Sequence, residues 1–175
     1  MPEKKTMERA RSAKRAGKAP STQAGAFVNE EIDHVREGKH GVKSAKQAVA
    51  IGLSKARRAG VDMKPPARGK TSTATRKKAE KDYEAGHKPA SKRAKSASTE
   101  SKTKRSRTTT AVLKRESGEG ASHRAMSKQS HSAASRRSAS SRSAAAKKAA
   151  RTKGAAGRSA AAKKAAHTRA ARAHH

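Results

Sequence analysis

A mostly disordered basic chain carrying a small all-α part is the architecture this sequence predicts. Three observations lead there. Lys and Arg number 45 against 13 acids, a formal charge of +32. Low hydrophobicity at such a charge leaves too little apolar area to offset chain entropy. Aromatic residues are 1% of the 175, one Phe and one Tyr, which excludes an ordinary large core. Finally, the large apolar residues concentrate between Ser21 and Pro66: Phe27, Val28, Ile32, Val35, Val42, Val49, Ile51, Leu53, Val61 and Met63. Elsewhere there are only Met1, Met7, Tyr83, Val112, Leu113 and Met126.

Within residues 21–66 the pattern predicts an antiparallel helical hairpin, with helices over about 22–37 and 44–59. Ser21 and Thr22 follow Pro20 as candidate N-caps of the first. Ala24, Phe27, Val28, Ile32 and Val35 recur in steps of three and four, so they share one face. Glu30, Glu31, Asp33 and Glu37 occupy much of the remainder, and Gly38 supplies a left-handed C-cap. In the second helix, Ser44 to Gln47 fits a capping box. Ala45, Ala48, Val49, Gly52, Leu53, Ala56 and Ala59 line its apolar face. Gly52 costs about 1 kcal/mol relative to Ala; either another backbone approaches closely there or the residue is incidental. Gly60-Val61 reads as a Schellman ending, and Pro65-Pro66 prevents continuation. The expected large core residues are Phe27, Ile32 and Leu53. Glu30, Glu31 and Glu37 are expected opposite Lys46, Lys55, Arg57 or Arg58.

The flanks are expected to be looser. Residues 1–20 form a basic arm with a short helix from Thr6 to Ala16, stopped by Gly17; its thin apolar stripe (Met7, Ala10, Ala13) leaves a solvated helix favoured over one docked on the hairpin. Residues 67–90 read as a linker, with a short helix from Thr73 to about Ala85 closed by Gly86; its mixed charges suit a solvent-exposed helix. Residues 91–175 read as a disordered tail rich in Ser, Ala, Lys and Arg. Thr108 to Leu113 has strand-like composition but nothing to pair with, and is assigned to coil or a transient turn of helix. The tail contains a repeat: Arg142 to Lys153 recurs from Arg158 to Arg169, offset by sixteen residues. Ala, Lys and Arg favour helix, and Ser143 and Ser159 suit N-caps. Each unit is nevertheless near the length at which an isolated helix is marginal. Lys147 and Arg151 also repel at i,i+4.

The functional signal is charge. From Gly120 to His175 there is no acidic residue and there are 14 Lys or Arg. Such a segment neutralises phosphates and releases counterions. The expectation is non-enzymatic, largely sequence-independent binding of DNA rather than RNA: a nucleoid-associated, histone-like coating or condensation. The candidate contacts are Lys46, Lys55, Arg57 and Arg58 on the second hairpin helix. In the tail they are Arg136, Arg137, Arg142, Lys147, Lys148, Arg151, Lys153, Arg158, Lys163, Lys164, Arg169 and Arg172. There is no zinc-finger pattern and no aromatic platform for stacking bases. The alternative is a protein-interaction adaptor in which Phe27, Ile32, Leu53 or the acidic helix face docks a partner and the tail is an electrostatic tether.

Enzymatic readings are weak, and no catalytic, cofactor or metal residue is assigned. Glu31 and His34 have the Glu-x-x-His spacing of helical-bundle metal sites, but one such motif does not complete a site. His40 reads as an exposed turn residue and His174-His175 as a polar end. No cysteine is present, in keeping with a reducing compartment. No stretch reaches membrane-spanning length, and the N-terminus lacks the apolar region of a secretory signal. A cytoplasmic, nucleoid-associated location is expected.

Two resemblances bear on this reading. The block from Glu30 to Gly60 is similar to a family of small uncharacterised bacterial proteins, in which EEIxHVREGKHGxxSxKQAxAIGLSKARRAG precedes a variable basic tail. That resemblance implies a bacterial cytosolic source and no established activity. The segment 91–175 resembles the Lys/Ala/Ser-rich tails of linker histones and bacterial histone-like proteins, which implies DNA as the partner. The linker-histone winged helix has no counterpart in this sequence.

Overall fold

The computed structural model describes residues 2–88 and 99–173. Every regular element among them is helical: α1 (Lys4–Arg15), α2 (Pro20–Arg36), α3 (Ala45–Arg58), α4 (Thr73–His87), α5 (Thr99–Arg115), a 3-10 helix (Gly118–Ala121), α6 (His123–Ser135) and α7 (Ala139–Ala173). The chain divides into two compact units, Met1–Gln129 and Ser130–His175. Predominant disorder is therefore not what the described residues show. High local helix propensity across the Ala-, Lys- and Arg-rich segments accounts for the difference.

The first unit is built on the packing of α2 with α3. Ala24 and Phe27, early in α2, share a cluster with Ala56 and Val61 at the end of α3. Ile32 and Val35, late in α2, cluster with Val42 and Ala48 at the start of α3. Phe27 is fully buried, which is worth about 1.5–3 kcal/mol relative to leaving it exposed. A Cβ built on Gly52 would stand 2.6 Å from Val28 Cα. The glycine in α3 is thus what lets the two helix backbones approach so closely.

Several end signals operate as their residues dictate. Gly38 takes φ 73° after α2. After α3, Gly60 N donates to Arg57 O at 3.0 Å and Val61 N to Ala56 O at 3.1 Å, the paired bonds of a Schellman ending. Ser44 Oγ caps Gln47 N, and Gln47 Oε1 accepts from Lys43 N at 2.9 Å rather than from Ser44 N. The start of α2 differs from expectation. Ala19 is the N-cap and Pro20 is the first helical residue, so Ser21 and Thr22 already lie inside the helix. Proline suits that position because its missing N–H would be unpaired there anyway.

The flanking helices are more deeply engaged than their charges suggest. Thr6 and Ala10 of α1 are buried, and Met7 packs against the Phe27 cluster. The arm is a docked helix, not a solvated one. Likewise α4 buries Ala79, Asp82 and Gly86 and packs on α3. Asp82 accepts from Ser54 Oγ at 2.6 Å and pairs with Arg58 at 3.2 Å. Both helices dock through small residues, which a search for large apolar side chains does not register. Leu53 is only partly buried, whereas Val35, Val42 and Val61 are buried. The large core residues are therefore Phe27, Ile32 and these valines.

The largest departure lies in the segment expected to be coil. Thr108 to Leu113 is part of α5, and the chain beyond it closes over the turn between α2 and α3. Leu113 O accepts from Gly41 N at 2.9 Å, and Ser117 O accepts from Val42 N at 2.8 Å. Arg36 Nε donates to Ala121 O at 3.0 Å. Ala121 is fully buried in the Ile32–Val42 cluster, with Met126 packed against it. A Cβ at Gly41 would collide with the Glu116 carbonyl. The folded unit thus continues past the expected limit at residue 66, and the expected boundary at residue 90 lies outside the described residues.

In the second unit, α7 contains both repeats. Gly154, at φ 66° and ψ 175°, kinks the helix between them. Arg158 reaches back over the kink to donate to Ala150 O at 2.7 Å, satisfying a carbonyl at the end of the first segment. The described side chains of α7 are exposed, save the half-buried Ala150, Gly157 and Ala161.

Candidate functional site

The basic residues proposed to meet nucleic acid fall into two groups with different surroundings. On α3, Lys55 Nζ lies 2.7 Å from Glu31 Oε2 and 3.6 Å from Glu30 Oε1. Arg57 is buried and its Nε donates to Met63 O at 3.1 Å. Desolvation pushes its guanidinium below the ordinary arginine value, with Asp82 opposing. Arg58 is exposed but paired with Asp82. Lys46 is exposed. Three of the four α3 candidates thus hold the fold together. Only tertiary contacts assign those roles, since the residue types are the same as in the tail.

The tail candidates are placed otherwise. Arg136 and Arg137 follow α6, and Arg142, Lys147, Lys148, Arg151, Arg158, Lys163, Lys164 and Arg169 lie on α7, all exposed. Lys153 and Arg172 are also on α7, and their side chains lie outside the description. At 100° per residue the eight cations of α7 whose side chains are described spread around each of its two segments, not along one stripe. That arrangement presents charge in every direction and matches no single groove geometry.

A second constellation surrounds the acidic face of α2. Glu30 and Glu31 are buried, although charged residues are rarely buried unless paired. Glu3, just ahead of α1, donates its backbone N–H to Glu30 Oε2 at 3.2 Å. Its side chain accepts from His34 Nε2 at 2.9 Å. That bond, and then the Lys39 ammonium, hold the Glu3 carboxyl below its usual value. His40, in the turn, has Nδ1 3.1 Å from Gly41 O and Nε2 3.3 Å from Glu31 Oε1. Glu31 and His34 were noted from their spacing, and His40 from its glycine-flanked turn. Their meeting was not foreseen, because it depends on how the turn folds back on α2. His174 and His175 lie outside the described residues.

Residues 5–68 match a family model described as "Family of unknown function (DUF6496)". The match takes in nearly all of α1, then α2 and α3, and ends before α4 and the segment that closes over the turn. No curated protein and no solved structure matches the chain. No helix among the described residues is long and apolar enough to cross a membrane.

Proposed function

We propose that this protein is a non-enzymatic DNA-binding protein that coats or condenses duplex DNA with little sequence preference, as a nucleoid-associated, histone-like component of a bacterial cytoplasm. The packed unit is an antiparallel hairpin with docked flanking helices, and the Ser130–His175 unit makes the principal contact. One observation carries this reading: the exposed, one-signed cations of α7, in a segment without a single acid. Phosphates placed beside Lys147, Lys148, Arg151, Lys163 and Lys164 cancel their mutual repulsion. The helical form of α7, which has little buried surface to hold it, becomes firm only then. Folding is coupled to binding, and part of the contact energy goes into ordering the chain. In the adaptor alternative, the acidic face of α2 or Phe27, Ile32 and Leu53 would dock a partner; Phe27 and Ile32 are buried in the core and Leu53 is partly buried, which weighs against the apolar docking.

The test is equilibrium binding of unrelated duplexes across a salt series. The full chain should bind them with similar affinity, the logarithm of the affinity falling by about 0.9 per phosphate neutralised for each tenfold rise in salt. A chain ending at Gln129 should lose most of that slope. Unchanged affinity and slope after the truncation would sink the proposal.

A further inference from the structure

We propose that Glu31, His34 and His40 form a binding site for a borderline transition-metal cation, zinc(II) fitting the donor set. One ligand atom from each residue lies within 4.8 Å of the others. Two neutral imidazoles and a carboxylate are a recurrent zinc set, with bond lengths of about 2.0–2.2 Å.

Hydrogen bonding around the histidines supports a cation at this place. Gly41 O only accepts, so His40 Nδ1 must carry the proton in their 3.1 Å bond. His40 Nε2 then faces Glu31 Oε1, 3.3 Å away. Either a second proton on the ring or a metal cation shared between the two atoms satisfies that contact, and the proposed site takes the second. His34 also has one ring nitrogen held by a hydrogen bond. Its Nε2–H donates to the Glu3 carboxylate, which leaves the lone pair on Nδ1. A carboxylate behind a histidine is the usual outer-shell partner of a metal-ligating imidazole.

The second observation is Glu31 itself. Its side chain is 1% exposed, and neither carboxylate oxygen has an aligned hydrogen-bond partner. Lys55 lies beside Oε2 and also approaches Glu30, so one ammonium serves two buried carboxylates. A negative charge therefore remains on the Oε1 side, where the histidines converge. A divalent ion there, with Lys55 retained on Oε2, compensates that charge and ties the turn to α2.

The experiment is titration of the untagged full chain with zinc(II) against a competing chelator. Cobalt(II) absorption would report coordination geometry, and NMR would follow the ring nitrogens of His34 and His40. One zinc per chain is expected, with tetrahedral cobalt bands and shifts of both rings. Glu3→Gln should weaken zinc by about 10–100-fold, as loss of an outer-shell partner does. His34→Ala and His40→Ala should weaken it further, while a chain ending at Ala173, without His174 and His175, binds as before. The ring shifts are read in the unsubstituted chain, so they decide the matter even where a variant fails to fold. Stoichiometric zinc without shifts of these rings, or affinity unchanged in both histidine variants, would overturn the site. So would an absence of zinc binding with His40 found doubly protonated.

Discussion

The two units use the same cations in opposite ways. In Met1–Gln129, Lys55, Arg57 and Arg58 face Glu31, Met63 O and Asp82, and small residues let the backbones approach. In Ser130–His175, the described Lys and Arg side chains are exposed, and the acids that would neutralise them are absent. A basic residue here is thus structural where an acid or a buried carbonyl folds against it, as at Lys55, Arg57 and Arg58, and available where it stays exposed on α7; Arg158, exposed but bonded to Ala150 O, stands between the two. Content of Lys, Arg and Ala does not separate the cases, since both units are rich in them; the acids do, and all of them lie before Gly120.

The contrast can be broken most strongly from the core. Phe27→Ala should cost about 3–5 kcal/mol of the first unit's stability, since the ring is fully buried. Urea unfolding followed by circular dichroism measures it. DNA affinity should change little, because α7 makes the proposed contact. A parallel loss of DNA binding would show that the two units do not act separately.

Next in size is Lys55→Ala. It leaves Glu30 and Glu31 buried without their shared ammonium, an effect of about 3 kcal/mol, the lower end for a broken buried pair because Lys55 is partly exposed. The same substitution at Lys147 should leave the first unit's unfolding midpoint unmoved. Equal effects at the two positions would erase the distinction between structural and available cations.

Gly41→Ala addresses the segment that closes over the turn. The new methyl meets the Glu116 carbonyl, so the 113–121 segment must shift, at about 1–3 kcal/mol. Hydrogen exchange should accelerate at the Gly41 and Val42 amides, which lose their carbonyl partners. Unchanged protection there would mean that this closure contributes nothing to the fold.

The smallest expected effect on stability belongs to Ala146→Pro. A proline in a helix interior costs about 3 kcal/mol locally, but α7 has no core to transmit it. The first unit should melt unchanged, and DNA binding should weaken only modestly. NMR chemical shifts should show a helix gain on adding duplex in the unsubstituted tail and a reduced gain around residue 146 in the variant. A tail equally helical with and without DNA would refute coupled folding and leave electrostatic binding standing.

How much of this was legible in advance depends on the range of the interaction concerned. Helices over α2, α3 and both repeats follow from apolar spacing, glycine stops and Ala-rich propensity, all within a few residues of one another. The close approach at Gly52 was legible as one of two readings, since a mid-helix glycine carries a cost that packing can offset. The tail's exposed charge needs no fold at all to be read. Tertiary structure alone decided the rest: the docking of α1 through Thr6 and Ala10, the seating of α4 through Ala79, Asp82 and Gly86, and the return of Leu113 to Ala121 onto the turn at Gly41. It also decided which cations are consumed by the fold and that Glu31, His34 and His40 meet. The physical reason is that these contacts use small side chains and backbone carbonyls. Every residue carries a carbonyl, so the chain must fold before one position becomes different from another.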